Sequence, residues 1–483
     1  MPQMPRLPVP LICVLLGAVL ALCNLPLEWS FVTPLPLAVL LLYVAQPLGA
    51  RAMAVRMWWA GSAYSAVHLW WLTAFLGKLF GFPPAGALAL VLYALEGAFL
   101  AAVALLAGRL VRGALARVWV LAGVWVGLEW LRFLGPLAFP WPSLGYTLLP
   151  TPMIQVADLG GVLLGSVIVA GTAAALVSFW LDRRVPLLAM SAVWVLALAY
   201  GVTRTPAEGP EGRALLQRNT IDTFARASRR LSPEAQFAEY LRLSRSRQPG
   251  EVVIWSESAI QSEEMLRQAP PGGLYGAWAF EVDERANRVL SWDGKKVLSS
   301  TDKARPVPFG EYYPLRQEVA PLWNLIEQQI GFYLVSVPAA QALSVLTLGG
   351  VRYGAYVCYD SVFPWVARQL SNKGAQVLVN ASNDGWYDGW GVQQHFMMGR
   401  VRAIENRRWV LRSVNKGVAA VIDDLGRPRR TLDRGEGVIH ARYRLLEGQT
   451  TYQRFGDLPA LVLAGLMVLF GVLIERSERR RMQ

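Results

Sequence analysis

The chain has 483 residues, of which 54% are hydrophobic and only 17% are charged. That composition is too apolar for an ordinary soluble protein, so it favours a membrane protein with two or three domains. The formal net charge of +13 suits contact with anionic lipid head groups. Nucleic acid is not an expected partner, because the basic residues are scattered and no recognised nucleic-acid motif accompanies them. The three histidines lie far apart in sequence and the three cysteines give no disulfide framework, so we expect no metal site and no structural disulfide.

Apolar segments dominate the first 203 residues and recur near the end of the chain. Eight segments are predicted to span a membrane, at residues 9–24, 31–48, 57–76, 84–107, 118–134, 153–181, 186–203 and 458–474. Several approach the roughly 20 residues that a membrane-spanning helix needs. The sequence therefore predicts a seven-span domain at 1–203, a separate domain at 204–457, and an eighth helix with a basic tail at 458–483.

Basic residues at the ends of these segments predict the orientation. They cluster at Arg6, Arg51 and Arg56, Arg109 to Arg117, Arg183 and Arg184, and 475–481. If each segment crosses once, all five clusters fall on one side of the membrane, and the positive-inside rule makes that side cytoplasmic. Both termini are then expected in the cytoplasm, and residues 204–457 outside.

The outer region alternates strand-like runs, one of them at 307–309, with helical runs, which predicts an α/β sheet with helices on its faces. Its central stretch is 351–384, where a strand at 351–357 ends abruptly at Cys358. A helix-like run at 362–370 and a second strand at 376–380 follow. A strand, a sharp turn and a helix present one side chain above a sheet edge, beside the backbone N–H groups of the helix start. Cys358 is therefore the candidate nucleophile.

Two other stretches carry residues suited to acyl transfer. An apolar strand at 252–256 leads to Glu257, and a polar stretch at 302–311 contains Lys303 and Glu311. A carboxylate, an ammonium group and a thiol brought together supply a general base, an oxyanion-stabilising cation and a nucleophile. Each residue alone has a simpler interpretation, as a solvated glutamate, a loop lysine and a small core cysteine. The spacing of these residues alone does not decide between a catalytic site and these simpler interpretations.

The motifs in combination resemble known families. WSES at 255–258, DKARPVPFGEYYP at 302–314 and VCYDSVFP at 357–364 are similar to the Glu-Lys-Cys signatures of the nitrilase superfamily. Five more stretches, at 129–132, 139–146, 383–395, 402–408 and 448–459, narrow the resemblance to the apolipoprotein N-acyltransferase family, which completes bacterial lipoprotein maturation. The resemblance implies a polytopic α-helical membrane domain of eight spans joined to a nitrilase-like α/β/β/α sandwich.

Carried over to matching positions, the resemblance implies a role for each site residue. Glu257 is the general base, Lys303 the oxyanion partner and Cys358 the nucleophile, while Glu311 helps to orient the site. Positions near the nucleophile or in the loop that shapes the acyl pocket are Tyr359, Asp360, Trp386 and Tyr387. The chain departs from the family pattern in Asp360, where glutamate is usual, in Tyr387, where phenylalanine is common, and in Arg305-Pro306, where His-Leu is common.

The implied reaction is a ping-pong transfer through a thioester, which needs no cofactor. The acyl chain passes from a phospholipid, typically phosphatidylethanolamine, to Cys358. It then passes to the α-amino group of the diacylglyceryl-cysteine at a lipoprotein N-terminus, on the outer, periplasmic side of the bacterial inner membrane. Two other readings stay open: a membrane-anchored carbon-nitrogen hydrolase of the amidase or nitrilase type, and a non-catalytic binding module on a membrane scaffold.

Three minor expectations concern other regions. An amphipathic loop between 312 and 345 is predicted to dip into the bilayer surface and gate access, through Tyr312, Tyr313, Leu322, Trp323, Ile326, Ile330, Phe332 and Tyr333. Glu96 and Glu129 lie in apolar spans, where a carboxylate is either functional or paired with an arginine such as Arg132. His395 is predicted to have no functional role.

Overall fold

The computed structural model describes residues 7–46, 48–80, 82–141, 143–221, 231–280, 285–330 and 335–482. Phe332 and Tyr333, two of the predicted gating residues, lie outside the described residues, as do the side chains of Ile326 and Ile330. Within the described ranges the chain forms a helical part from its two terminal stretches and an α/β part between them.

The helices follow the apolar and amphipathic runs of the sequence. They are α1 Val9–Cys23, α2 Pro34–Val44, α3 Ala50–His68, α4 Trp71–Leu79, α5 Ala89–Leu110, α6 Ala114–Leu131, α7 Ala157–Trp180, α8 Arg184–Val202, α9 Pro233–Ser244, α10 Glu263–Gln268, α11 Ala320–Ile330, α12 Pro364–Asn372, α13 Trp390–Asn406, α14 Thr451–Phe455 and α15 Leu458–Met482. Helices α1 to α8 and α15 form the helical part.

Five stretches among the described residues are long and apolar enough to cross a membrane. They are Pro83–Leu110, Ala114–Leu131, Pro152–Trp180, Arg184–Val202 and Leu458–Arg481. Helices α1 and α2 are apolar but shorter. The run predicted as one span at 57–76 is divided at Leu69 and Trp70 between α3 and α4. The chain thus carries several apolar helices, and many of their outward-facing leucines and valines are exposed, as expected of surfaces that contact lipid.

Two buried carboxylates of the helical part have polar partners, which lowers the cost of burying them in a low-dielectric environment. Glu96 forms an ion pair with Arg132. Glu129 accepts hydrogen bonds from the Leu144 backbone N–H at 2.9 Å and from the Trp125 indole N–H at 3.2 Å. These contacts favour a structural role for both carboxylates.

Helix α7 is broken near its start, at Gly160 and Gly161. Gly161 has φ +70°, a conformation that suits glycine, and a Cβ there would lie 2.6 Å from the Tyr452 ring. The break leaves the Val162 N–H without an intrahelical partner, and the Glu405 carboxylate of the α/β part accepts it at 2.9 Å. This contact joins the two parts of the chain.

The strands among the described residues of the α/β part form a single twelve-stranded sheet. They are β1 Glu211–Asn219, β2 Val252–Ile254, β3 Gly273–Trp278, β4 Asn287–Trp292, β5 Val297–Asp302, β6 Leu346–Leu348, β7 Val351–Val357, β8 Val377–Asn383, β9 Val410–Asn415, β10 Ala419–Ile422, β11 Pro428–Leu432 and β12 Gly437–Arg444. The spatial order is β5-β4-β3-β2-β1-β9-β8-β7-β6, with β10 and β11 continuing from β9, and β12 beside β1.

The sheet folds back on itself where β1 meets β9, because the two strands pair over only two residues each. Its two ends then approach each other. The Thr347 N–H of β6 donates to Ser299 Oγ of β5 at 3.0 Å, and the Ser344 N–H donates to Thr301 Oγ1 at 3.2 Å. The result is a nearly closed sheet with one half facing the other.

Alternate residues of each strand enter different cores, as the two-residue period of a β-strand requires. Leu216 and Val357 lie between the halves of the sheet, whereas Leu215 faces α9 and α10, and Tyr356 faces α12 and α13. The layers are therefore helix, sheet, sheet and helix. The outer face of α12 and α13 continues into the apolar core of the helical part.

One strand prediction is wrong. Residues 307–309 form no strand, because the chain turns here: the N–H groups of Glu311 and Tyr312 both donate to the Val307 carbonyl group, at 2.9 and 3.1 Å. Pro306 and Pro308 lack the N–H groups that a strand ladder would use. This turn brings Glu311 back toward Lys303.

Candidate active site

Cys358 lies where β7 ends, in a short 3₁₀ turn at Cys358–Val362. Its φ is +45°, a left-handed conformation that is uncommon for residues other than glycine and that often marks functional sites. The residue is 2% exposed, and its Sγ lies 3.7 Å from the Asn383 carbonyl oxygen at the end of β8. The predicted nucleophile thus stands on a strained turn at the edge of the sheet.

Glu257 and Glu311 converge on Lys303. The Lys303 Nζ lies 3.0 Å from Glu257 Oε1 and 2.6 Å from Glu311 Oε2, and the lysine is 1% exposed. Glu257 comes shortly after β2, Lys303 directly after β5, and Glu311 from the turn just described. Three sequence-predicted residues therefore form one buried charged cluster.

Asn287, the first residue of β4, is a member of this cluster that sequence reasoning missed. Its Nδ2 donates to Glu257 Oε1 at 2.7 Å and to Glu311 Oε1 at 3.3 Å. Its carbonyl oxygen accepts the Lys303 N–H at 2.7 Å. Asn287 therefore holds both carboxylates and the backbone of the lysine. No short motif marks it; the pairing of β4 with β5 brings it here.

The charges in the cluster set the protonation of Lys303. Burial alone would lower its pKa, but the carboxylates of Glu257 and Glu311 outweigh burial and hold the pKa well above its usual value. The lysine therefore stays a cation and a hydrogen-bond donor, rather than a base, at neutral pH.

The resting thiol is protonated. Burial raises the pKa of Cys358 well above its usual range, and the Glu257 carboxylate raises it further, while the Lys303 ammonium group opposes both effects. A thiol in this state needs a base to ionise it, and Glu257 is the carboxylate whose charge acts most strongly on the pKa of the thiol.

Asp360 ties the turn that carries Cys358 to the loop that carries Lys303. Its Oδ1 accepts the Arg305 N–H at 2.7 Å, and its Oδ2 accepts the N–H groups of Ala304 at 3.2 Å and Val357 at 3.1 Å. Burial raises the pKa of Asp360 to about 7, although Lys303 and the three N–H groups lower it. The side chain of Asp360, although one methylene shorter than the glutamate that is usual in the family, therefore reaches the loop that follows Lys303.

The predicted aromatic residues lie between the site and the helical part. The Tyr359 hydroxyl donates to the Ala138 carbonyl group at 3.2 Å. Tyr387 packs edge-on against Trp71 of α4, with ring centroids 5.0 Å apart, and Trp386 packs edge-on against Phe75 at 6.0 Å. The loop after β8 thus rests on α4, and the site faces the helical part.

A buried network under Cys358 was also missed. Asp384 Oδ2 accepts from Arg412 Nη2 at 2.6 Å, and Asp384 Oδ1 lies 2.9 Å from His395 Nδ1. Although burial opposes it, Arg412 with its hydrogen-bonding neighbours holds the pKa of Asp384 well below its usual value. The histidine in turn contacts the backbone of Cys358.

The chain matches two protein families. Residues 16–175 match the family described as apolipoprotein N-acyltransferase N-terminal domain. Residues 287–452 match the family described as carbon-nitrogen hydrolase. The second match contains Asn287, Lys303, Glu311 and Cys358, and the first lies within the helical part.

Relatives extend the match to nearly the whole chain. An apolipoprotein N-acyltransferase of Azotobacter vinelandii is 30% identical and the alignment covers 98% of this chain and 97% of that protein. The one of Geobacter metallireducens is 32% identical over 74% of each. A solved amidase from Nesterenkonia sp. is 17% identical and covers 53% of this chain and 98% of its own, with a TM-score of 0.38. By its relatives, the chain belongs to the apolipoprotein N-acyltransferase family.

Proposed function

We propose that this chain is a membrane N-acyltransferase. It moves an acyl chain from a phospholipid, through a thioester on Cys358, to the α-amino group of the N-terminal diacylglyceryl-cysteine of a lipoprotein. The observation that carries the proposal is the buried cluster of Glu257, Lys303 and Glu311 acting on the thiol of a strained cysteine turn, in a member of this family.

In the first half-reaction Glu257 takes the thiol proton, and the Cys358 sulfur attacks the ester carbonyl carbon of the phospholipid. Lys303 and backbone N–H groups stabilise the oxyanion that forms. The ester C–O bond then breaks, the lysophospholipid alcohol leaves with the proton from Glu257, and the acyl chain remains on sulfur.

In the second half-reaction the free amine of the lipoprotein attacks the thioester carbon. Glu257 takes the amine proton and returns it to the departing thiolate, so that an amide forms and the Cys358 thiol is restored. Glu311 and Asn287 hold Lys303 and Glu257 in place through both steps, because Glu311 contacts Lys303 and Asn287 contacts both carboxylates.

We propose that the helical part spans the bacterial inner membrane eight times. Residues 1–203 form the seven-span domain, 204–457 the periplasmic catalytic domain and 458–483 the last helix and tail, with both termini cytoplasmic. In support, Glu475 near the end of α15 accepts the N–H groups of Arg112 and Gly113 in the α5–α6 connection, at 2.9 and 2.7 Å. Two basic clusters thus lie together at one end of the helical part, as the positive-inside rule requires.

Both proposed substrates are anchored in lipid, so the site must be reached from the bilayer. Among the described side chains of residues 315–325, four apolar ones are exposed: Leu315, Val319, Leu322 and Leu325. Trp323 instead is buried, with its indole N–H donating to the Pro314 carbonyl group at 3.1 Å and its ring against Phe309 and Tyr313. We therefore assign bilayer contact to Leu322 and Leu325, and a bracing role to Trp323.

The proposal is tested by incubating the purified protein with phosphatidylethanolamine and recording its intact mass. We expect an added acyl mass that hydroxylamine removes and that the Cys358→Ala variant lacks. No adduct on the folded wild-type protein would contradict the proposal. Release of ammonia from small amides without acylation of a lipoprotein peptide would instead favour the carbon-nitrogen hydrolase alternative.

A further inference from the structure

A buried polar cluster beneath the Cys358 turn has no part in the reaction described above. It comprises Ser361, Asp384, His395 and Arg412, each at most 1% exposed. His395 belongs to α13, whereas Asp384 follows β8 and Arg412 lies in β9. Burying this many polar groups is unfavourable unless they are mutually bonded, and a fully bonded network is rigid.

The two ring nitrogens of His395 face different partners. Nε2 lies 2.7 Å from Ser361 Oγ and 3.1 Å from the Cys358 carbonyl oxygen. Nδ1 lies 2.9 Å from Asp384 Oδ1 and 3.0 Å from Arg412 Nη2. The histidine thus contacts the backbone of the nucleophile, while the Cys358 sulfur is directed to the Asn383 carbonyl group. This arrangement does not position His395 as a general base for the Cys358 thiol.

The ring is held in place by hydrogen bonds behind it and by one stacked tryptophan ring. Asp384, its partner, also accepts from the Ser382 hydroxyl at 2.8 Å, and Arg412 donates to Asn380 Oδ1 at 2.6 Å. The ring stacks against Trp141 of the helical part, with centroids 6.3 Å apart and planes 25° apart. Strands β8 and β9 therefore hold the ring, and its Nε2 edge is aimed at the turn.

We propose that His395 is a positioning residue that holds Cys358 in its left-handed conformation. In the proposed arrangement Nε2 carries a proton and donates it in a hydrogen bond to the Cys358 carbonyl oxygen, which can only accept. The inference rests on the proposed function, in which Cys358 is the nucleophile. A residue with a Cβ disfavours positive φ, so loss of this bond lets the turn relax and moves the sulfur away from its attack position.

Three substitutions distinguish the contribution of the His395 Nε2 contacts from that of the Nδ1 contacts. His395→Phe keeps a ring without hydrogen bonds, His395→Gln keeps an N–H donor near the Nε2 position, and His395→Asn keeps one near Nδ1. For each we would measure the rate of thioester formation by intact mass, per folded molecule, over a range of phosphatidylethanolamine concentrations in detergent micelles. A displacement of about 1 Å at a reacting atom costs on the order of 100-fold in rate.

We expect His395→Phe to slow the maximal rate roughly 10- to 100-fold with an unchanged half-saturating lipid concentration. His395→Gln should recover most of the rate and His395→Asn little of it. A wild-type rate in His395→Phe, or recovery by asparagine rather than glutamine, would overturn the inference. So would an equal loss in all three that follows only the folded fraction, because that pattern indicates a purely structural role.

His440→Gln is the matched control. His440 lies in β12, where its Nδ1 contacts Glu251 Oε1 at 2.8 Å, and its substitution should leave the rate of thioester formation unchanged. If the wild-type protein forms no thioester, the proposed function itself has failed. If it forms one and the rate is indifferent to His395, only the positioning role has failed. The glutamine–asparagine contrast decides the question even if the phenylalanine variant does not fold.

Discussion

Asp360 Oδ1 accepts the Arg305 backbone N–H at 2.7 Å, and this bond joins the nucleophile turn to the lysine loop. The second oxygen of Asp360 accepts from Ala304 and Val357, so one buried carboxylate satisfies three N–H groups. Asp360 thus fixes the turn that carries Cys358 and the loop that carries Lys303 relative to each other.

Asp360→Asn should therefore weaken the fold and the site together. The amide places an NH₂ group against N–H donors and leaves at least one donor unsatisfied, which costs about 1–3 kcal/mol. We expect a lower midpoint of thermal unfolding in detergent and slower thioester formation. Asp302→Asn is the control: Asp302 is one-third exposed and pairs with Arg288, an interaction worth about 0–1 kcal/mol. Equal effects of the two substitutions would contradict the assigned role.

The same carboxylate predicts a pH dependence of stability. The pKa of Asp360 is about 7 in the folded protein, above the value near 4 of an exposed aspartate. Between these values the folded state binds more protons than the unfolded state, so the contribution of Asp360 to stability falls as the pH rises from about 4 to about 7. Above pH 7 it should be constant. Asp360→Asn should flatten this part of the profile, and a profile identical to the wild type would contradict the prediction.

The Glu257→Gln substitution should slow acylation while it makes the Cys358 thiol more acidic. Loss of the base should slow acylation roughly 10²- to 10⁴-fold. The Glu257 charge also raises the thiol pKa, so its removal leaves Lys303 to lower that pKa and should speed alkylation by iodoacetamide at pH 8. One pKa unit changes the thiolate fraction about tenfold in this range.

Peptide mass mapping identifies the alkylated cysteine. The Cys358→Ala variant measures the alkylation that occurs at Cys13 and Cys23. Slower alkylation of Cys358 in Glu257→Gln than in the wild type would contradict the proposed electrostatics, whatever happens to acylation.

Asn287→Ala should impair the reaction without weakening lipid binding. The substitution frees Glu257 and Glu311 from a shared donor, and the loss of orientation should lower kcat roughly 10- to 100-fold with little change in KM. Asn372→Ala is the control, since Asn372 donates to the Gln453 carbonyl group on the far side of α12. A change in KM alone would mean that Asn287 acts on the substrate rather than on the cluster.

Sequence reasoning found the residues that motifs mark and missed those that tertiary pairing brings in. Glu257, Lys303 and Cys358 each end a strand or closely follow one, in a distinctive stretch. Asn287 opens β4 without any motif, and only the register of β4 against β5 brings it to Lys303. His395 is 37 residues from Cys358, and no local pattern reports their contact.

In the helical part, too, the sequence pattern failed to predict a feature of the structure, here the boundary between α3 and α4. Hydropathy predicted one span at 57–76, because Leu69 and Trp70 are as apolar as their neighbours. The chain breaks there, and the Trp71 indole N–H then donates to Gln394 of α13 at 3.1 Å. This contact joins residues 323 positions apart, and a hydropathy pattern with a period of 3.6 residues does not report it.

The exposed leucines of α11 give the last prediction. Leu322 and Leu325 are 55% and 53% exposed, and burial of a leucine side chain gains roughly 1.5–3 kcal/mol. If they insert in the bilayer, Leu322→Ser with Leu325→Ser should raise the apparent KM for phosphatidylethanolamine in vesicles by on the order of tenfold or more. The same double variant should acylate Cys358 normally from a short-chain phospholipid dissolved below its critical micelle concentration.

Leu298→Ser supplies the comparison, because Leu298 is a similarly exposed leucine, at 39%, on β5. It should leave turnover of both donors unchanged. Trp323→Ser should instead slow acylation from both donors, because the Trp323 ring packs against Phe309 and Tyr313 and so braces this segment. If the double leucine variant lost activity equally toward vesicles and dissolved donor, α11 would support the site from within, and bilayer contact would have to be assigned to another surface of the chain.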